Sequence, residues 1–255
     1  MTVTLRDDAA YMRMKHALTL ALLVGCGGAP SPAPVAAPAP TMAKHTDDHH
    51  THHDHQNHQG HHGGGMDHGF KNADEWAKVF DDPARDAWQE PDRIVAAMTL
   101  TPAMTVVDIG AGTGYFAVRI ARVLTHGEVI ATDLEPDMIR YLGERAQREG
   151  IKNLRGVLTP ADDPQLRPGS VDRILVADVW HHLGDRDAYA RKLVSSLRQG
   201  GQIIIVDFKL DATRGPPPQF RIAPKELIVE LEAVGLTATV AFELADQYVI
   251  TARRK

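Results

Sequence analysis

The sequence predicts an α/β fold: a doubly wound, mostly parallel sheet of seven strands with an antiparallel C-terminal edge hairpin. Three observations predict it. Runs rich in β-formers alternate with runs of helical period from Val106 to Phe208. A glycine turn, Gly110-Ala111-Gly112-Thr113-Gly114, links the first strand of that series to the first helix. After the last helix two strand-like runs follow one another directly, as hairpin strands do and parallel neighbours cannot.

The elements follow in order. Val106-Val107-Asp108-Ile109 is the first strand, and residues 115–124 form a helix with Phe116, Ile120 and Val123 on one face. Further strands are expected at 128–132, 153–158, 171–177, 202–208, 238–244 and 247–252. Helices are expected at 136–149, 186–197 and 224–234, the last opened by Ala223-Pro224 and stopped by Gly235. Upstream, residues 80–89 are too polar for a deep core element and read as a helical lid, in which Trp88 is either a lid residue or a core anchor. Gly215-Pro216-Pro217-Pro218 makes a rigid loop after the fifth strand, on the rim where ligands of such sheets bind.

Composition divides the chain into three parts. Residues 1–25 read as a leader: Met14-Lys15-His16 is followed by an apolar run, 17–24, far shorter than the roughly 20 residues that span a bilayer. The acidic pair Asp7-Asp8 is out of place in a basic leader, which puts the start at Met12 or Met14. Leu23-Val24-Gly25-Cys26 resembles the bacterial lipobox, whose cysteine is acylated after cleavage. That resemblance implies a membrane-anchored lipoprotein on the periplasmic or outer-membrane side, held through lipidated Cys26.

Residues 26–69 read as a linker without a core of its own. Its 29–40 stretch, APSPAPVAAPAP, suits a polyproline spacer with about 3 Å of reach per residue. Ten of the 14 histidines lie between His45 and His68. Neutral imidazoles there could take a divalent metal, but no ligand spacing defines a site, and a soluble linker that gains charge near pH 6 is the plainer reading. Residues 70–255 remain for one folded domain.

The net charge of -5, with both signs interspersed, offers no basic stripe for nucleic acid. Cys26 is the single cysteine, which excludes an internal disulfide and a multi-cysteine metal cage. Oligomeric state leaves no signal.

Chemistry concentrates at the glycine turn. Gly110, Gly112 and Gly114 let backbone approach a ligand closely. The spacing is G-x-G-x-G rather than the G-x-G-x-x-G of dinucleotide folds, no phosphate-loop lysine follows, and Asp108 would repel a diphosphate. A nicotinamide-dependent dehydrogenase is therefore disfavoured.

VVDIGAGTG resembles the first motif of the class I S-adenosylmethionine-dependent methyltransferases, and the resemblance extends over residues 76–251. It implies a Rossmann-like methyltransferase fold, S-adenosyl-L-methionine as cofactor and a small-molecule methyl acceptor, since no room is left for a large substrate domain. By the same resemblance Asp108 faces the cofactor's ammonium group, Gly110, Ala111, Gly112 and Gly114 form its cradle, and Asp133, with Leu134 beside it, receives the ribose hydroxyls. Gly169-Ser170-Val171-Asp172 and Arg198-Gln199-Gly200-Gly201 stand where family turns precede the fourth and fifth strands.

The third strand departs from the family. Thr159-Pro160-Ala161-Asp162-Asp163 replaces the usual Gly-Asp-Ala, so the adenine-facing acid is carried over to Asp162, two positions displaced; Asp163 reads equally as a turn former. Asp178 directly follows the fourth strand and is carried over as a cofactor contact. His181 and His182 follow in a Trp-His-His-Leu stretch found in related small-molecule enzymes, where one histidine would orient the acceptor or take its proton; a capping role competes with that. A rival of another class is a surface-anchored, metal-binding lipoprotein that keeps the fold as a scaffold.

Overall fold

The computed structural model describes residues 70–254. Cys26, the proline spacer and the histidine tract lie outside the described residues. The sheet is built from β1 (Thr105–Ile109), β2 (Glu128–Asp133), β3 (Leu154–Leu158), β4 (Val171–Ala177), β5 (Leu197–Phe208), β6 (Leu236–Glu243) and β7 (Gln247–Arg254). Their order across the sheet is β3-β2-β1-β4-β5-β7-β6. The first five are parallel, and β7 pairs antiparallel with both β5 and β6. The expected seven strands and edge hairpin are all present.

Helices α4 (Tyr115–Val123), α5 (Pro136–Arg148), α6 (Arg186–Ser196) and α7 (Pro224–Ala233) lie within a residue of expectation at each end. The sheet is covered on both sides, which explains why its central strands read as unbroken apolar runs. Alternate residues serve alternate faces. On β5, Ile203 and Ile205 join the core with Leu193 of α6 and Leu227 of α7, while Ile204 and Val206 join the core with Phe116 and Ile120 of α4.

Two departures have physical causes. β5 begins at Leu197, five residues before the expected start at 202, because Leu197 already pairs with Val171. The register then shifts between Val171 and Arg173, and Gly200 at φ 75° takes up the slack. The expected helical lid of residues 80–89 holds the last residue of α1 (Ala73–Phe80), a break at Asp81–Pro83 and the short helix α2 (Ala84–Gln89). A third, α3 (Pro91–Ala97), was not expected from the sequence; its proline opens the first turn and Ile94 and Val95 are buried against α4.

The strand order reverses between β1 and β4, which opens a crevice beyond their carboxyl ends. Asp108, Asp133 and Asp207 stand at or one residue before the carboxyl ends of β1, β2 and β5, and Asp178 one residue past that of β4. The arrangement therefore rests on the central strands. Leu175→Ala in β4 should lower unfolding free energy by about 2–5 kcal/mol in urea denaturation. Val79→Ala, at a side chain 60% exposed, should change it by no more than about 0.5 kcal/mol.

Candidate active site

The glycine turn leaves β1 in a backbone path that side chains resist. Gly110, Gly112 and Gly114 have φ of 63°, 54° and 87°. A Cβ on Gly110 would come within 2.6 Å of Val179 Cγ2, and one on Gly112 would lie 3.5 Å from the Phe80 ring. The first of these glycines is thus required by packing as well as by dihedral, and the second sits under the end of α1. Ala111 fixes the turn by donating its N–H to Thr132 O at 2.9 Å.

Asp108 is buried, and its Oδ2 has no hydrogen-bond partner. Desolvation pushes its carboxyl up to about 7, the nearby Asp133 adds to the rise, and the Ala117 N–H in the first turn of α4 opposes it. A buried carboxylate oxygen without a donor is a place for a cationic donor. Asp133 ends β2 with its Oδ2 accepting from Gly112 N at 2.8 Å and its Oδ1 from Glu135 N at 3.0 Å. Each oxygen keeps a lone pair, so the group can still accept two hydroxyls of a diol. Burial raises its pKa, and these backbone donors offset part of the rise.

Beside it Leu134 is 56% exposed and Leu158, its neighbour across from Asp133 on β3, is 50% exposed. Two exposed leucines next to the Asp133 carboxylate leave an apolar surface on which a purine could lie. The displaced acid resolves into two roles. Asp163 accepts from Gln165 N at 2.8 Å and pairs with Lys192, so it forms the turn. Asp162 is exposed, and its carboxylate accepts no hydrogen bond from the described residues. The residues present therefore fit S-adenosylmethionine: an acceptor for the ammonium, a cradle without Cβ atoms, a diol site and an adenine seat.

Asp178 serves the lid. Its Oδ2 accepts from Arg85 Nη2 at 3.1 Å and from Gln89 Nε2 at 3.0 Å, both on α2, and its Oδ1 from Gln247 Nε2 on β7. It is a non-glycine residue at φ 62°, a strained backbone held by these bonds. On the other flank, Asp81 after α1 accepts from Thr113 Oγ1 at 3.0 Å and from Arg145 Nη1 at 2.7 Å. Asp86 accepts from Arg119 Nη2 at 2.8 Å and from the Tyr115 hydroxyl. The lid is thereby pinned at the glycine turn, at α4 and at the end of β4. None of Arg85, Gln89, Asp81 or Arg145 was singled out in the sequence, because their partners lie 32 or more positions away.

His181 and His182 lie in a 3₁₀ turn, Trp180–His182, immediately after Asp178 and Val179. Their rings lie 4.2 Å apart between centroids at an interplanar angle of 41°, and His181 Nδ1 lies 2.8 Å from Asp207 Oδ1. His182 also meets the Phe70 ring at 6.3 Å, part of an aromatic group with Trp76 and Phe80. Trp88 is half-buried; its ring lies 6.4 Å from Phe208 and carries the Arg214 guanidinium at 4.7 Å. A cavity of about 530 Å³ opens there, lined by Val79, Asp82, Arg85, Trp88 and Arg214 among others. The expected rim loop adjoins it, with Gly215 so close to Phe208 that a Cβ would come within 2.4 Å of the ring.

Among the described residues no group of three or more His, Cys, Asp or Glu is arranged to hold a metal, and no helix is long and apolar enough to cross a membrane.

Comparison with known proteins agrees with this geometry. Residues 100–233 match the model of a methyltransferase domain family. A ubiquinone/menaquinone biosynthesis C-methyltransferase of Idiomarina loihiensis is 29% identical over 107 residues, 41% of this chain and 43% of that protein. A ubiquinone biosynthesis O-methyltransferase of Xanthomonas campestris pv. campestris is 27% identical over 111 residues, 44% of this chain and 46% of that protein. The chain thus spans less than half the length of these curated relatives. A SAM-dependent methyltransferase from Aquifex aeolicus has the same fold, with a TM-score of 0.67 at 24% identity over 72% of this chain and 99% of that one. The family match covers more than half of the 255 residues and the crevice fits the sulfonium cofactor, so the chain belongs to the methyltransferase domain family, as a class I S-adenosylmethionine-dependent member.

Proposed function

We propose that this chain transfers the methyl group of S-adenosylmethionine to a small-molecule acceptor, and that the protein is tethered to a membrane through acylated Cys26. The observation that carries the first part is the unpartnered buried oxygen of Asp108 beneath a glycine turn whose neighbour, Asp133, keeps acceptor capacity for a diol. Bound there, the cofactor supplies a methyl group on sulfonium sulfur, a leaving group that needs no further activation. The chain's own task is then to hold two reactants in line, which can contribute roughly 7–11 kcal/mol in favourable cases.

A small acceptor suits the dimensions of the rim. Outside the sheet and its crossovers the described residues offer only α1, α2, α3 and the 209–222 loop to build a substrate site, and the cavity beside Trp88 measures about 530 Å³. Relatives named for ubiquinone and menaquinone biosynthesis support the same reading. The tether rests on the apolar run of residues 17–24 with Gly25-Cys26 directly after it.

Isothermal titration of the full chain should show S-adenosylmethionine binding, and no heat up to millimolar ligand would remove the proposal. Asp133→Ala should weaken that binding by about 10- to 100-fold, the worth of hydrogen bonds to a charged acceptor.

The pH dependence has a definite sign. Asp108 pairs with an ammonium only when ionised, so affinity should rise as pH approaches about 7 and then level off. Asp108→Asn should lack that slope. Without ligand the same carboxyl works against the fold: the folded state keeps a proton that the unfolded state releases near pH 3.8, so Asp108 lowers stability as pH climbs towards about 7. A mass spectrum of mature protein from its native host should show acyl chains on Cys26; an intact residue 1–25 leader would refute the tether.

A further inference from the structure

We propose that the methyl acceptor is a carboxylic acid with an apolar body, and that the guanidinium of Arg214 binds its carboxylate in the cavity beside Trp88. This rests on the methyltransferase reading and adds the acceptor's chemical class.

Arg214 is held in place and keeps its terminal donors. Its Nε donates to Asp246 Oδ2 at 2.8 Å. The Asp246 side chain is only 7% exposed, and its Oδ1 accepts from the Thr213 N–H at 2.6 Å and from the Thr213 hydroxyl at 2.9 Å. That carboxylate is therefore fixed without help from Arg214, and because Thr213 donates to it twice, the charge of Arg214 is not fully spent on it. The guanidinium also lies 4.7 Å from the centre of the Trp88 ring, a cation–π contact that orients it. Gly215, the next residue, packs on Phe208. Nη1 and Nη2 make no hydrogen bond to the described residues. A guanidinium tied at Nε presents these two nitrogens end-on as a parallel pair of N–H donors, which matches the two oxygens of a carboxylate.

The rest of the cavity narrows the ligand. Its volume of about 530 Å³ suits a compact organic molecule, and Val79, Ala84 and Ala87 join Trp88 in an apolar wall. Two other charged side chains line it. Arg85 is fully engaged, its three nitrogens donating to Gln89, to the Phe80 carbonyl and to Asp178. Asp82 turns one oxygen to the Ala84 N–H at 2.9 Å and opposes any ligand of high negative charge. A single free fork facing a single exposed acid suits one negative charge, so a carboxylate fits where a phosphate dianion is repelled. Arg85 also connects the two halves of the site, since it lines this cavity while its charge reaches Asp108. An acid held by Arg214 thus lies in the opening that adjoins the cofactor crevice.

The test titrates the full chain, saturated with S-adenosylhomocysteine, calorimetrically against two acid–amide pairs of matched shape: 4-hydroxybenzoate with 4-hydroxybenzamide, and indole-3-acetate with indole-3-acetamide. In at least one pair the acid should bind about 10- to 100-fold more tightly than its amide, the worth of hydrogen bonds between charged partners. Arg214→Gln should remove that preference while S-adenosylhomocysteine affinity stays within about twofold. Arg214→Lys, which keeps a charge opposite Asp246 but lacks the fork, should retain only part of it. Nitrogen NMR of labelled arginine in the unaltered protein should show the Nη signals of one guanidinium move with the acid and not with the amide, a readout independent of any variant's folding. Equal affinity for acid and amide in both pairs, a preference that survives in Arg214→Gln, arginine signals that do not move, or no binding of any of these compounds would each overturn the proposal. Loss of S-adenosylhomocysteine binding by the unaltered chain would instead remove the methyltransferase reading.

Discussion

Asp108 places a carboxylate in the interior of the sheet's carboxyl edge, with one oxygen paired to nothing. An uncompensated buried acid is expensive, and proteins tolerate one where a ligand completes it. The surroundings follow from this. The glycine turn exposes backbone beside the acid, and the first turn of α4 lends it the Ala117 N–H. Two helices then flank the opening, α1 through Asp81 to Thr113 and α2 through Arg85 to Asp178. Asp178 shows the contrasting solution at the end of the neighbouring strand. It is only partly buried, and Arg85, Gln89 and Gln247 donate to both of its oxygens, so that it is a fastening point for the lid.

The parallel core was legible because both of its faces are covered. Ile203 to Val206 could only be a buried strand, and the G-x-G-x-G turn could only stand at its first switch point. The cofactor half of the site was legible for the same reason: Asp108, Asp133 and the glycines are set by strand ends and by spacing along one stretch of chain. The helical lid was legible from the polarity of residues 80–89, but its break at Asp81–Pro83 left no signal that was read. What fastens it, Arg145 to Asp81 and Arg85 to Asp178, is a matter of tertiary pairing and leaves no local pattern. Asp207 went unremarked because an acid at the end of a β-strand looks like a solvated terminus until the histidine 26 positions earlier is placed against it.

The acceptor half depends more on loops than on the sheet. Trp88 comes from α2, Arg214 from the loop after β5, and Phe208 from the last residue of β5 itself. That loop is held by Arg221, whose guanidinium reaches the carbonyl oxygens of Leu210, Ala212, Arg214 and Pro216. Asp246 anchors the other side through Thr213 and Arg214. A rim tied at this many points is preformed, a shaped opening that a ligand need not order.

A doubly wound sheet with a glycine turn is also the frame for dinucleotides, and charge is what separates the two ligands here. Asp133 stands close enough to Asp108 to add to the upward push that burial gives its carboxyl. The arginines nearby are committed: Arg85 to Asp178, Arg119 to Asp86 and Arg145 to Asp81. A diphosphate entering this crevice would meet two carboxylates with no uncommitted guanidinium among these to offset them, and in a low-dielectric setting that repulsion outweighs the backbone N–H groups of the turn. A ligand with an ammonium group and a sulfonium centre meets the opposite balance, because its positive charge removes the cost of burying Asp108. The glycine spacing opens the crevice to several nucleoside ligands; the sign of the charge left unpaired inside it selects among them.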